Sequence, residues 1–120
     1  MIKFRAYLKG TRIIVDVQEI NYKYEDIVYE SGKYKEVADF KDIIILQSTG
    51  LKDKNGVVIY EGDVVKTKYG EHGRHIGVVT FRPGEFISKG VKQYEGYVEK
   101  LDGVFEIIGN KYEHPHLLEE

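Results

Sequence analysis

The sequence predicts an all-β chain: a small, partly open barrel with added hairpins and at most a short C-terminal helical turn. Three observations carry this. Many Val and Ile and 10 Tyr stand beside 13 Gly and only 2 Pro, a mixture of strand formers and turn formers. Apolar and polar residues alternate with period two from Ile2 onward, as half-buried strands require. Turn signals recur roughly every 8–12 residues, the spacing of a small barrel or sandwich. With 120 residues and 42% hydrophobic content, the chain suffices for one folded domain over residues 1–120. No linker and no fixed-period repeat divides it.

The elements follow in order. Ile2, Phe4, Ala6 and Leu8 alternate with Lys3, Arg5, Tyr7 and Lys9, giving a first strand that turns at Lys9-Gly10-Thr11. Ile13, Val15 and Val17 form its hairpin partner, and Asn21 to Tyr24 reads as a further short strand. Ser31-Gly32-Lys33 is a turn between the arms Ile27-Val28-Tyr29 and Tyr34 to Val37. Ile43-Ile44-Ile45 precedes Leu46, and three β-branched residues in a row favour a buried strand. The pair Asn55-Gly56 tolerates positive φ, as a tight hairpin turn requires. Glu61-Gly62-Asp63 separates short strands at Val57 to Tyr60 and Val64 to Tyr69. The Gly62-Asp63 pair before Val64-Val65 resembles the diverging turn that precedes a barrel strand in SH3-like folds, so the expected barrel is SH3-like or related, a fold-level analogy. Tyr69 to Gly77, with three glycines, reads as a mobile loop. Gly77 to Phe81 and Glu85 to Ser88 pair across Arg82-Pro83-Gly84, where Pro then Gly suits a type II turn. Gln93 to Leu101 and Val104 to Ile108 read as a hairpin closed by Asp102-Gly103. Pro115 takes a first helical position before Leu117 and Leu118. The expected core is Phe4, Ile44, Leu46, Ile59, Val64, Val79, Phe81 and Ile107; truncating a core Phe81 to Ala costs about 3–5 kcal/mol.

The stretch from Gln47-Ser48-Thr49-Gly50 to Asp63-Val64-Val65 resembles the middle of the YopX family of prophage-encoded proteins. The opening Ile2 to Tyr7 resembles that family's first strand, and Gly77 to Phe81 with Gly84-Glu85-Phe86 its later hairpin. Phe105 to Glu113, with Pro115 and Leu117-Leu118, resembles its C-terminal signature. Only the region around Gln18 to Ala38 lies outside the likeness. Tyr7, Ser48 and His114 depart from the pattern, where Trp, an aromatic and Asn are expected. The resemblance implies a phage or prophage origin in bacteria, and the family carries no established enzymatic activity to transfer.

Composition excludes several chemistries. The chain has no Cys, which removes disulfides, thiolate metal sites and cysteine nucleophiles and fits a reducing bacterial cytoplasm. No apolar run approaches the roughly 20 residues of a spanning helix, and no apolar signal segment follows Met1. Net charge is −2, without the overall footprint of a dedicated nucleic-acid binder. His114 and His116 flank Pro115, and His72 and His75 lie in the glycine-rich region, without a third ligand in view; solvated histidines are the plainer reading. Asp53, Glu61 and Asp63 are close in sequence, but Asp53 and Asp63 more simply close their own turns. Gly70-Glu71-His72-Gly73-Arg74 lacks the Lys-Ser/Thr ending of a phosphate loop, and no Ser stands in a nucleophile elbow. No cofactor and no metal are expected.

Interleaved aromatic and basic residues are the more serious signal: Tyr22-Lys23-Tyr24, Lys33-Tyr34-Lys35 and Lys66-Thr67-Lys68-Tyr69. Lysines neutralise phosphates and tyrosines stack bases, yet tyrosines and open edges also suit protein partners. The expectation is a non-enzymatic accessory module that binds a host or phage protein, with nucleic acid as the alternative, no membrane, and self-association left open. The candidate binding residues are Lys66, Lys68 and Tyr69. In a regular strand Lys66 and Lys68 share a face and Tyr69 falls on the other.

Overall fold

The computed structural model describes residues 3–119. The chain is all-β: among the described residues there are eleven strands, three short 3-10 turns and no α-helix. The strands lie in antiparallel sheets that do not close on themselves. They form two compact units, Met1–Gln47 and Ser48–Glu120.

The first unit holds β1 (Phe4–Leu8), β2 (Ile13–Asn21), β3 (Asp26–Ser31), β4 (Tyr34–Asp39) and the first half of β5 (Ile43–Lys52). Its strand order is β4-β3-β2-β1-β5, a meander that β5 completes by pairing with β1, Ala6 opposite Ile45. The period-two reading of β1 holds, since Ala6 and Leu8 are buried and join Ile27 and Ile43 in the unit's core. Gly32-Lys33 is the two-residue turn of the β3–β4 hairpin, with Ser31 opposite Tyr34 and Gly32 at φ +62°. The short strand expected at Asn21 to Tyr24 is a turn instead. Asn21 Oδ1 accepts the N–H groups of Lys23 and Tyr24 at 3.1 and 3.2 Å, so its side chain diverts the backbone from a ladder.

In the second unit the end of β5 pairs with β6 (Val58–Tyr60). The strands β7 (Asp63–Gly70), β8 (Gly73–Arg82), β9 (Glu85–Gly90), β10 (Val98–Lys100) and β11 (Glu106–Asn110) form a five-stranded sheet in the order β10-β9-β8-β7-β11. Ile59, Val65, Val79, Leu101 and Phe105 make the core. Pro83-Gly84 is a two-residue turn with Gly84 at φ +89°, as a type II turn demands. Pro115 opens the expected C-terminal turn, Pro115–Leu118.

Several expectations are corrected by the structure. Tyr69 to Gly77 is not a loop: β7 and β8 run on until only Glu71-His72 separates Gly70 from Gly73. Gly77 serves packing, because a Cβ there would lie 2.3 Å from Ser88 Oγ and 2.7 Å from the Lys89 carbonyl. Residues 93–101 and 104–108 do not form a hairpin: β10 and β11 occupy opposite edges of the sheet. The connection between them carries the buried Leu101 and Phe105 into the core, and that burial outweighs the local turn preference of Asp102-Gly103. Phe81 is not core. It is 52% exposed and sits one pair back from the turn opposite Phe86, ring centroids 5.1 Å apart; Phe86 alone of the two packs on the core. Leu46, Ile59, Val64 and Val79 are buried as expected, whereas Phe4, Ile44 and Ile107 are half-buried.

Candidate binding cleft beside strand β7

The cleft is built on the second unit. Asp53 anchors one wall. Its Oδ1 accepts the N–H groups of Asn55 and Val57, both at 2.9 Å, and its Oδ2 accepts that of Ile107 at 3.1 Å. Burial raises the Asp53 carboxyl, but the three backbone N–H groups and the Lys54 charge outweigh it and leave the pKa lowered. Gly56, at φ +81°, closes the turn by donating to the Asp53 carbonyl at 3.0 Å. Asn55 keeps negative φ, so the pair is not the centre of a two-residue turn of mirror-image type. Asp63 likewise caps its own turn, accepting Tyr60 N–H at 2.8 Å. These two carboxylates are therefore engaged by backbone, as the turn-closing reading expects.

The Lys54 N–H then donates to the Phe105 carbonyl at 2.8 Å, tying this turn to the segment entering β11. That tie brings Lys54 to Glu106, whose carboxylate lies 3.2 Å from Lys54 Nζ and 3.5 Å from Lys66 Nζ. The Lys54 hydrogen bond is the largest cause holding the Glu106 pKa below its usual value.

The sequence candidates Lys66, Lys68 and Tyr69 all line one cleft of about 590 Å³. Lys54, Arg74, Tyr94 and Glu106 join them there. Four cations thus face one carboxylate. Lys68 and Arg74 make no ion pair among the described residues. The β7–β8 register shifts between Thr67 and Gly70, and a bulge re-aims the side chains around it. Tyr69 is 83% exposed; it lines this cleft with the two lysines and, with Thr67, a second one that neither lysine lines. Of the other basic-aromatic clusters, Tyr22 lies edge-on to Phe40 at 6.0 Å and Lys23 Nζ is 5.5 Å from the Tyr24 ring.

His75 is also at this cleft, and it is not the exposed side chain that its glycine-rich surroundings suggest. It is only 2% exposed. Its Nε2 lies 2.9 Å from Ser88 Oγ, and Tyr94 covers its ring at 6.0 Å. Burial lowers its pKa, against weaker opposing effects from the Glu99 charge and the Ser88 hydrogen bond, so the imidazole is held neutral. Ser88 is fully buried, so this Ser–His contact lies within a polar part of the core. His72 stays at the surface and leans on Tyr97 at 5.3 Å. His114 Nδ1 accepts Asn110 N–H at 3.2 Å, a local fastening. Among the described residues no three His, Asp or Glu side chains gather as a metal site would require.

Sequence reasoning missed Lys54, Arg74, Tyr94 and Glu106. The only forward signal was Arg74, which alternation on β8 would have paired with β7 had Tyr69 to Gly77 been read as strand. No helix among the described residues is long and apolar enough to cross a membrane.

The chain as a whole is similar to a solved structure. The crystal structure of protein EF1440 from Enterococcus faecalis is 26% identical, covers 99% of both chains and superposes with a TM-score of 0.65. No curated protein matches. The model of the family described as YopX protein matches residues 3–119, nearly the whole chain, and the chain belongs to the YopX family.

Proposed function

We propose that this chain is a non-enzymatic accessory protein of a prophage, acting in the cytoplasm of the bacterial host, and that its basic cleft receives an anionic segment of a macromolecular partner. The observation that carries the reading is the cleft itself. Lys68 and Arg74 stand there without ion pairs, beside the exposed ring of Tyr69. Two neighbouring lysines already neutralise the cleft's single carboxylate. An incoming anion therefore meets uncompensated positive charge in a depression whose walls focus the field. Asp53 and Asp63 are engaged by backbone N–H groups and Ser88 is closed off, which supports binding over catalysis. The second unit is read as a variant of an SH3-like open barrel, a framework that serves binding in many settings.

An acidic protein segment is the first partner. The chain's net charge of −2 gives it no long-range attraction for polyanions, so a short acidic stretch docking locally suits it better than a nucleic-acid backbone. Single-stranded nucleic acid is the second reading, favoured by Tyr69 and Tyr94 flanking the cations, since aromatic faces stack bases. Titration with an acidic peptide and with a single-stranded oligonucleotide, at about 150 mM salt, separates the two. The expected result is peptide binding that the double variant Lys66→Glu/Lys68→Glu abolishes while the fold persists, with no measurable oligonucleotide binding. Micromolar oligonucleotide binding lost in the same variant replaces the first reading with the second. Binding of neither anion, or binding untouched by the charge reversal, overturns the cleft as the site.

A further inference from the structure

The first unit carries an open strand edge whose chemistry is complementary to itself. Strand β4 pairs with β3 on one side only and ends the sheet. Its backbone phase is fixed. Phe40 N–H donates inward to the Glu25 carbonyl at 2.8 Å, in line with the pairing of Asp39 with Asp26 and Tyr34 with Ser31. Antiparallel ladders alternate, so Lys35, Val37 and Asp39 direct their N–H and C=O groups away from β3. Such an edge is usually guarded by charged side chains, a proline or a bulge, and the charges that β4 carries, Lys35 and Glu36 with Asp39, are of both signs. Here β4 has no proline, and its pairing with β3 is unbroken over all six residues. Val37 is 60% exposed and Tyr34 74% exposed.

We propose that β4 is a homodimer interface, at which a second copy of this chain adds its own β4 antiparallel about a twofold axis through Val37. A twofold axis normal to a sheet pairs residues equidistant from one central residue. Centring on Lys35 sets two lysines opposite each other. Centring on Glu36 sets two glutamates opposite each other. Centring on Ala38 brings Lys35 against Lys41. Centring on Val37 sets Val37 against Val37 and Lys35 against Asp39 of the second copy, twice by symmetry. In that register Lys35, Val37 and Asp39 are the residues whose backbone groups point outward, so every pair among them exchanges ladder hydrogen bonds. Charge, apolar contact and backbone phase select the same alignment, and opposite charges directly across a ladder favour it.

Sedimentation velocity on the full chain at micromolar concentrations tests this. The wild type sediments as a monomer–dimer equilibrium. Lys35→Asp places two carboxylates opposite each other twice, and weakens the dimer by about tenfold or more. Lys35→Asp combined with Asp39→Lys exchanges the charges and restores it. Val37→Pro removes an N–H that faces solvent rather than β3, so the hairpin tolerates it and the dimer is lost. Thermal melts of each variant establish that the fold is intact. The double variant Lys66→Glu/Lys68→Glu leaves the dimer unchanged, which separates this interface from the basic cleft. A wild type that stays monomeric, a dimer indifferent to Lys35→Asp or Val37→Pro, or a charge exchange that fails to restore association overturns the proposal.

Discussion

Replacing Asp53 tests the energetics of the second unit most directly. The side chain is 7% exposed and its two oxygens accept three backbone N–H groups. In Asp53→Ala all three lose a charged acceptor. Asn55 and Val57 lie at the surface, so their N–H groups regain water, and each costs about 0.5–1 kcal/mol. The Ile107 N–H lies in a half-buried strand and costs about 1–2 kcal/mol. The sum is about 3 kcal/mol, or a fall of about 10 °C in Tm for a domain of this size. Asp53→Asn discriminates between the oxygens. Its Oδ1 still accepts from Asn55 and Val57, but Nδ2 then faces the Ile107 N–H, donor against donor, and the loss is about 1–2 kcal/mol. Urea unfolding followed by circular dichroism measures both. The sign with pH follows from the lowered folded pKa of Asp53. Its contribution is fully present above the unfolded value of 3.8 and is lost as pH falls through the lower folded value, so the deficit of Asp53→Ala shrinks in acid. An alanine variant within about 0.5 kcal/mol of wild type at neutral pH, the range of an ordinary surface change, would refute the reasoning; so would an asparagine variant as damaged as the alanine one.

Gly56→Val forces a β-branched residue to φ +81° in open space, so strain alone acts and the loss is about 1 kcal/mol or more, read as Tm. Phe81→Ala removes a half-exposed ring that touches Phe86; it costs about 1 kcal/mol rather than a core penalty, measured by urea denaturation. His75 has a folded pKa below its unfolded 6.5, so the unfolded chain binds more protons between the two values. Its contribution to stability is intact above pH 6.5 and declines as pH falls toward the folded value; Tm against pH shows this decline in the wild type and a flatter profile in His75→Gln.

How legible these features were depended on the range of the interaction. Pro83-Gly84 and Gly32 were readable because turn geometry is set by the turn residues themselves. Asp53 was readable in part: its bonds to Asn55 and Val57 are local, whereas its bond to Ile107 spans most of the second unit. The hairpin expected at Asp102-Gly103 failed because the choice of edge lies in the apolar side chains of Leu101 and Phe105. Both must reach a core that local turn preference does not register. His75 was misplaced for the related reason that polar burial depends on a partner, Ser88, contributed by another strand.

The same long-range bonds explain why the cleft carries free positive charge at all. Asp53 binds Ile107 and the Lys54 backbone binds Phe105, so the Lys54–Gly56 turn is fastened where β11 begins. Lys54 is thereby delivered to Glu106, which Lys66 already approaches from the register of β7 with β11. Two cations are held by one carboxylate, and that carboxylate has no further charge to offer Lys68 or Arg74. Placing Glu106 nearer β8 would quench the second pair of cations instead and leave the first. Which cations remain available to a ligand is therefore decided by strand register and by a buried turn acid, and the stability of the Asp53 network and the electrostatics of the cleft are one structural fact.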